Sequence, residues 1–185
     1  MPVGVLDLLS KDARFDMLAY YDNDRIYYQT NNLKGESFLE KVTDDFLSVR
    51  LTNVSTLQIK ILELSSGDDI IMTVYTTGRK GEALDSDISF YDTNFEELPK
   101  EKYFPTPKIS DFFQTKNKKI SMKDIENIMP FYTIWFQASP DDSNVRGSLT
   151  LDDIMTTEDR ALVEGSVRPS VTFVWNGKSF KTASN

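Results

Sequence analysis

The sequence predicts an α+β protein built on an antiparallel meander sheet, with helices packed on one face. Four segments between residues 43 and 91 alternate apolar and polar residues or carry β-branched runs, and turn formers separate them. Residues 5–21 have the apolar spacing of one or two short amphipathic helices. We therefore expect a helix-plus-meander half at 1–100 and a smaller helix-plus-strand half at 101–185, packed together as one globular unit.

Composition excludes several classes of function. The chain has 185 residues, 29 acidic and 21 basic side chains, a net charge of −8, and neither cysteine nor histidine. Thiol nucleophiles, imidazole bases, disulfides and Cys/His zinc sites are therefore excluded. Nucleic acid is not an expected partner, because phosphate binding needs a basic surface and the cluster Lys116 to Lys119 is interpreted as a solvated turn. The sequence contains no run of about 18 apolar residues, so no membrane-spanning segment is predicted.

The N-terminal segment is predicted to pass from helix through a turn into strand. Ser10 and Asp12 are candidate caps within the amphipathic stretch. The turn formers at residues 22–24 are predicted to end the helix. Ile26 to Thr30 is predicted as an opening strand, followed by a loop over residues 31–36.

Alternation along the meander predicts one buried and one wetter face of the sheet. In the first strand, Leu47, Val49 and Leu51 are expected on one face and Phe46, Ser48 and Arg50 on the other. In the second strand, Leu57, Ile59 and Ile61 are expected on one face and Gln58 and Lys60 on the other. The third strand, Ile70 to Thr77, is the most apolar of the four and is predicted to lie centrally.

The second half repeats the order of helix and then strands. Residues 93–107 are predicted as a crossing linker, and residues 108–129 return to helical spacing, with Ser121 and Asp124 at a helix start. Strands are predicted at Phe131–Ala138 and Ser148–Leu151, and a short helix is predicted from Thr157. Asn176-Gly177 predicts a hairpin between strands at Ser170–Trp175 and Lys178–Lys181. This tandem order is similar to the β-lactamase-inhibitor-like architecture; the alternative is one strongly curved sheet with helices in its concavity.

The meander also carries residues that are similar to a family motif. They are Thr43-Asp44-Asp45-Phe46-Leu47, Arg50-Leu51-Thr52, Ser55-Thr56-Leu57, Lys60-Ile61-Leu62 and Asp85-Ser86-Asp87-Ile88-Ser89-Phe90-Tyr91. With the opening Met1-Pro2, they resemble an exported Bacteroidales family of unknown function (domain of unknown function 3256). Phe46 stands where the family usually has Tyr, and Glu63-Leu64 where relatives often have Leu-Pro. The resemblance covers mainly residues 1 to about 100 and is weaker at the hairpin Trp175-Asn176-Gly177-Lys178.

The resemblance implies a periplasmic or otherwise exported location, because precursors in the family typically begin with a signal peptide. The residues MPVGVLDLLS do not themselves have the pattern of one. The resemblance implies no catalytic residues, because none is assigned in the family, and no site residue is carried over from it.

Adjacent acids are the first candidates for chemistry: Asp44-Asp45, Asp68-Asp69, Glu96-Glu97, Asp141-Asp142 and Asp152-Asp153. Glycoside hydrolysis needs two carboxylates that face each other across a cleft. Adjacent strand residues point to opposite faces, so these pairs are interpreted as turn and strand-end residues. The oxygen-rich segments Asp85-Ser86-Asp87 and Asp141-Asp142-Ser143-Asn144 lack the glycine and terminal glutamate of an EF-hand loop, and no metal site is predicted.

Aromatic residues are the second set of candidates. Phe131, Tyr132, Trp135 and Phe136 place rings on both faces of one predicted strand. One hypothesis is that they line a carbohydrate or peptide groove; the preferred interpretation places alternate rings in the core and the others under a helix. Trp175 is expected to be a more exposed aromatic residue than these four, or to pack across its hairpin.

We interpret the chain as an exported, non-enzymatic binding or interaction module, with no catalytic, cofactor-binding or metal-binding residues predicted. The expected partner is another envelope protein or a small ligand. The first alternative is a small-ligand binding protein, hydrophobic or glycan, with a pocket between sheet and helices; the second, disfavoured, is a carboxylate-dependent hydrolase. A pocket lined by Phe or Trp with convergent polar groups would favour the ligand-binding alternative.

Overall fold

A computed structural model describes residues 6–22, 25–79, 83–114, 120–150, 155–163, 165–168 and 170–183. These residues form an α+β fold with two antiparallel sheets. The first sheet has seven strands in chain order: β1 (Gln29–Thr30), β2 (Glu36–Val42), β3 (Phe46–Thr52), β4 (Ser55–Glu63), β5 (Asp69–Thr77), β6 (Asp85–Tyr91) and β7 (Glu97–Leu98). The second sheet has the order β11-β10-β9-β8: β8 (Thr133–Ala138), β9 (Val145–Thr150), β10 (Ser170–Trp175) and β11 (Phe180–Thr182). The predicted class is confirmed, and the alternative of one continuous sheet is wrong.

Four short α-helices and one 3-10 helix accompany the sheets in the described residues: α1 (Lys11–Ala19), α2 (Lys100–Tyr103), the 3-10 helix (Ile109–Phe112), α3 (Met122–Ile128) and α4 (Thr157–Val163). The cap at Ser10 and the cap predicted for α3 are confirmed, whereas Asp12, the other candidate, lies in the first turn of α1. The Ser10 hydroxyl accepts a hydrogen bond from the Ala13 amide at 3.1 Å. Ser121 and Asp124 form a reciprocal capping box.

The two faces of the first sheet are covered by different partners. On the helix face, Val49, Leu51 and Leu57 pack against Ala13 and Met17 of α1. The helix therefore packs through one small side chain and one flexible side chain. Phe15 and Leu18 are 62% and 50% exposed, although they belong to the apolar spacing that predicted an amphipathic helix.

The opposite face, the core face, packs against the second sheet in one shared hydrophobic cluster. Its buried members come from both sheets and from the segment between them: Phe46, Leu62, Ile70, Met72, Val74, Ile88, Phe90, Tyr103, Phe104, Phe112, Ile134, Phe136, Ala138, Val145, Val171, Phe173 and Phe180. A smaller cluster of Ile109, Ile125, Met129 and Val163 packs α3 and α4 at the end of this core.

The four predicted meander strands are confirmed as β3 to β6, with the predicted alternation, but the sheet is larger than predicted. β2 falls where no strand was predicted, because a register shift between Leu39 and Lys41 interrupts its alternation. The opening strand is shorter than predicted and consists of Gln29–Thr30. The predicted linker contains β7 and α2, and residues 109–112 form a 3-10 helix.

The C-terminal hairpin is confirmed, but residues 176–179 join β10 and β11, so β11 begins two residues later than predicted; Gly177 in this loop has φ +83°. The predicted helix from Thr157 and the strands of the second sheet are also confirmed in the described residues. The basic cluster Lys116 to Lys119, part of the predicted turn at residues 22–24, and Asp152-Asp153 lie outside the described residues.

Candidate functional site

Asp45, one of the paired acids, forms an ion pair with a buried lysine. Its Oδ2 lies 2.9 Å from Lys60 Nζ, and the lysine side chain is 2% exposed while that of Asp45 is 50% exposed. The hydrogen bond from Lys60 is the main reason that the pKa of Asp45 lies below its ordinary value. The Lys60 ammonium also lies 5.9 Å from the Phe46 ring centroid. This pair therefore neutralises a buried charge at the edge of the core.

The oxygen-rich segments are also engaged locally. The Asp142 carboxylate accepts hydrogen bonds from the Asn144 backbone and side-chain amides, both at 2.8 Å. The backbone bond is the main cause that holds the pKa of Asp142 below its ordinary value. Asp87 pairs with Lys100 at 2.7 Å. In the described part of the chain no three acidic, histidine or cysteine side chains are grouped as a metal site requires.

The aromatic residues around β8 separate into core and surface groups. Phe136 enters the shared core, and Tyr132 packs between the core and the cluster of α3 and α4, as the preferred interpretation expected. Phe131 is 78% exposed. Trp135 differs from that interpretation, because its ring is only partly buried and lines a cleft.

The second tryptophan is fixed in place by its own hairpin. Trp175 faces its cross-strand partner Phe180, with ring centroids 5.0 Å apart. Its indole Nε1 donates a hydrogen bond to the Glu63 carbonyl at 2.9 Å. Trp175 therefore packs across the hairpin, which was the second of the two outcomes expected for it.

The second sheet leaves part of the core face uncovered, and a cleft forms there. β8 crosses over β4, β5 and β6, whereas Arg50 of β3 and Glu40 of β2 stay partly exposed. We call the space between the uncovered face and β8 the Trp135 cleft. It has a volume of about 370 Å³, and six of its nine lining residues are polar or charged: Glu40, Arg50, Thr56, Gln58, Thr76, Gly78, Leu84, Trp135 and Gln137.

The floor of the Trp135 cleft is a row of directly paired residues across three strands, and the row extends beyond the cleft to Phe38 of β2. Thr76 pairs with Thr56, Thr56 with Arg50, and Arg50 with Phe38. Arg50 donates from Nε and Nη2 to Glu40 Oε1 at 3.1 and 3.0 Å. Because this ion pair fixes and neutralises the guanidinium, the floor is a polar surface without an unpaired cation.

The wall of the cleft is fixed to its floor by hydrogen bonds from β8. The Phe136 amide donates to Ser86 Oγ at 3.0 Å, and the Ala138 amide donates to Gln58 Oε1 at 2.9 Å. These bonds satisfy amides on the unpaired edge of β8 with side chains of the first sheet. They set the position of Trp135, which immediately precedes Phe136, the first of the two donors.

A second cavity adjoins the cleft at Arg50. We call it the Tyr28 cavity; it has a volume of about 570 Å³ and is lined by Tyr28, Asn31, Leu33, Gly35, Glu36, Phe38, Arg50, Thr52 and Asn53. The rings of Tyr28 and Phe38 meet edge to face, with centroids 5.2 Å apart. The buried Asn31 side chain holds the loop, accepting from the Leu33 and Gly35 amides at 3.0 Å each.

Sequence reasoning missed this site for two reasons. Phe38 and Glu40 lie on β2, which was not predicted as a strand. Arg50 and Gln58 lie on the face opposite Val49 and Leu57, as alternation predicted, but this is the core face, so the prediction of one buried and one wetter face is wrong because both faces are covered. Nothing local to these two residues indicates that β8 packs on the same face. One sequence feature does indicate the site. The core-face positions of β3 and β4 are largely polar, whereas those of the neighbouring strands β5 and β6 are largely apolar.

Comparisons with known proteins agree with this fold. No curated protein matches the sequence. A solved structure, described as a domain of an uncharacterized protein from Porphyromonas gingivalis W83, is similar with a TM-score of 0.83 and 19% identity, covering 100% of this chain and 94% of that chain. At this identity the likeness shows a shared fold. In the described residues, no helix has the length and apolar character needed to cross a bilayer.

The family match extends further along the chain than the resemblance seen in the sequence. The family model described as Protein of unknown function (DUF3256) matches residues 1–180, which includes the second sheet as well as the meander. The chain therefore belongs to the DUF3256 family.

Proposed function

We propose that the chain is an exported, non-enzymatic binding module whose ligand site is the Trp135 cleft. The observation that carries the proposal is the convergence of one large aromatic side chain with amide, hydroxyl and paired charged side chains around a concave space. Small-molecule sites combine these features, in which an aromatic surface supplies contact area and a few placed polar groups fix orientation.

The non-enzymatic part of the proposal rests on residue chemistry. The chain has no histidine or cysteine to act as base or nucleophile at neutral pH. The shifted carboxyl pKa values of the described residues, those of Asp45, Asp124 and Asp142, all lie below the ordinary value. A carboxylic acid that donates a proton at neutral pH needs a raised pKa instead.

Tryptophan fluorescence tests the site directly, because the sequence holds two tryptophans and the second one is fixed in its hairpin. The protein is titrated with defined probe sets: neutral mono- and disaccharides, sugar acids, free amino acids and dipeptides. We expect at least one set to change the emission of Trp135 saturably. We expect Trp135→Ala to weaken that probe's binding at least about tenfold by calorimetry, which corresponds to about 1.4 kcal/mol.

Phe131→Ala is the matched control, because Phe131 is an exposed aromatic that does not line the cleft. Its binding should equal that of the wild type. If every probe that binds the wild type binds Trp135→Ala with the same affinity, the cleft is not the site.

The export part of the proposal rests on the family resemblance. Cell fractionation with an antibody against the protein tests it in the host. We expect the protein in the periplasmic or outer-envelope fraction, and recovery with a cytoplasmic marker would contradict export.

A protein partner is the second candidate, favoured by a concentration of exposed apolar side chains near the N-terminus. They are Phe15, Leu18, Tyr20, Ile26, Tyr27, Tyr28 and Leu33. Exposed apolar surface of this kind is typical of interaction sites. A photoreactive amino acid at position 15 should give one discrete crosslinked product in host envelopes, and Leu18→Lys should abolish it. Crosslinking that Leu18→Lys leaves unchanged would argue against this surface.

A further inference from the structure

The Trp135 cleft and the Tyr28 cavity lie next to each other on the first sheet, and we call the two spaces together the groove. Arg50 lines both spaces. The row from Thr76 through Thr56 and Arg50 to Phe38 spans three interstrand spacings, roughly 14 Å at about 4.8 Å each. Trp135 stands at one end of this row, and Tyr28 packs on Phe38 at the other. The groove is therefore longer than a single sugar or amino acid.

The charges of the groove favour a ligand without negative charge. Among the residues that the structure describes, its charged lining residues are Glu36, Glu40 and Arg50. Arg50 is paired with Glu40 at 3.0 Å, so Glu36 leaves the lining with a net negative charge. The chain as a whole carries −8. Phosphorylated or uronic-acid ligands would be repelled rather than steered to this site.

The side chains of the groove match a carbohydrate. The face of an aromatic ring carries negative charge density, which attracts the slightly positive C–H surface of a sugar ring. Tyr28 is 52% exposed, and Trp135 lines the opposite end. Amides, hydroxyls and ionised pairs both donate and accept hydrogen bonds, as sugar hydroxyls require. Gln58 uses its amide oxygen to hold Ala138, which leaves its NH₂ group as a donor.

A peptide strand fits the groove less well. Peptides that bind to sheets usually add to an edge and pair with its backbone. At the wall of the groove, the Phe136 and Ala138 amides already donate to Ser86 and Gln58. The groove thus presents side chains rather than a free strand edge.

Resting on the proposed function, we propose that the ligand is a neutral, linear oligosaccharide that lies across Arg50, with one sugar ring on Trp135 and another on Tyr28. Arg50 and Glu40 hydrogen-bond the sugar between the two rings. Trp135 is needed for any binding, whereas Tyr28 contributes when the chain is long enough to reach it.

Chain-length series test this inference by calorimetry. The probes are maltose to maltohexaose, cellobiose to cellohexaose, chitobiose to chitohexaose, and dipeptides to hexapeptides of neutral composition. In one carbohydrate series we expect the Kd to fall about tenfold or more between the disaccharide and the tetrasaccharide. Tyr28→Ala should return the tetrasaccharide to the affinity of the disaccharide and leave the disaccharide unchanged. Trp135→Ala should weaken both, and Phe131→Ala neither.

The outcomes separate this inference from the proposed function. Trp135-dependent binding that does not vary with chain length, or that Tyr28→Ala does not change, overturns the extended ligand and leaves the cleft as a site. Trp135-dependent binding of peptides or acidic sugars alone overturns the ligand class. If no probe binds in a Trp135-dependent way, both proposals fail. The melting curve of each variant shows whether the variant is folded. Trp135→Phe keeps an aromatic ring at the wall of the cleft and serves as a conservative variant beside Trp135→Ala.

Discussion

At the scale of single residues, Lys60 shows how one charge is accommodated inside the protein. Its side chain is 2% exposed, and Asp45 Oδ2 at 2.9 Å and the Phe46 ring are its neighbours. A buried ammonium without a partner is costly, whereas an apolar side chain of similar length at the same place is tolerated. The two partners should therefore respond differently to substitution.

We expect Asp45→Asn to lower the free energy of unfolding by about 1–3 kcal/mol, towards the lower end because Asp45 is half exposed. Lys60→Met, which removes the buried charge itself, should stay within about 1 kcal/mol of the wild type. Urea denaturation measures both. If both variants lose the same free energy of unfolding, the loss in Asp45→Asn is not explained by leaving the buried Lys60 ammonium without its partner.

The lowered pKa of Asp45 also predicts the direction of pH dependence. A carboxyl whose pKa is lower in the folded state stabilises the protein above its unfolded value of about 3.9, and this stabilisation is lost as the pH falls through the folded-state pKa. The free energy of unfolding should therefore decrease between pH 5 and pH 2, and less steeply in Asp45→Asn. Asp44→Asn, at the exposed neighbour, is the control; a wild-type slope in Asp45→Asn would contradict the assignment.

At the scale of elements, two turns from different sheets meet. The Ser65 amide of the β4–β5 turn donates to the Gly177 carbonyl of the β10–β11 turn at 2.7 Å. Gly177 and Gly67 have similar positive φ angles, +83° and +88°. A Cβ at Gly177 would collide with Ser65 Oγ, whereas one at Gly67 would meet open space.

This pair of glycines separates backbone strain from contact between the turns. Gly67→Ala should cost about 1–2 kcal/mol, the penalty of a left-handed conformation. Gly177→Ala should cost more, and Ser65→Ala in the same chain should return it to the level of Gly67→Ala. Thermal and urea unfolding measure the three variants. Equal losses in the two glycine variants would show that the turn contact adds nothing.

At the scale of the whole molecule, Phe104 is buried in the core that the two sheets share. It lies in the segment between them, and its ring centroid is 5.4, 4.8 and 5.3 Å from those of Phe136, Phe173 and Phe180. The shared core contains buried residues of both sheets, so exposing either sheet alone would expose a large apolar face. We therefore expect the two halves to fold as one unit.

Phe104→Ala should lower the stability by about 3–5 kcal/mol and leave a single transition. Far-UV circular dichroism and the fluorescence of Trp175 should give coincident unfolding curves, as two-state unfolding requires. Phe131→Ala, at an exposed ring, should stay within about 0.5 kcal/mol of the wild type. Two separated transitions would instead show that residues 1–100 and 101–185 are independent domains.

Local sequence determined much of the fold of this protein. The caps at Ser10 and Ser121, the Asn-Gly hairpin and the four meander strands depend on residues a few positions apart, whose backbone preferences act without the rest of the chain. β2 escaped prediction because its register shift breaks the two-residue period that identifies a strand.

Tertiary structure alone decided where the candidate site lies. Phe136 and Ala138 are held by Ser86 and Gln58, partners 50 and 80 positions away in the sequence, and these bonds place Trp135 over the polar side of the first sheet. The alternation of β8 indicated that Trp135 and Phe136 face opposite ways, but not which of them meets the core. Which of the two rings is buried depends on how the two sheets pack. The physical reason is that contacts between segments distant in sequence determine this packing, whereas the period of one strand shows only that its side chains alternate between two faces.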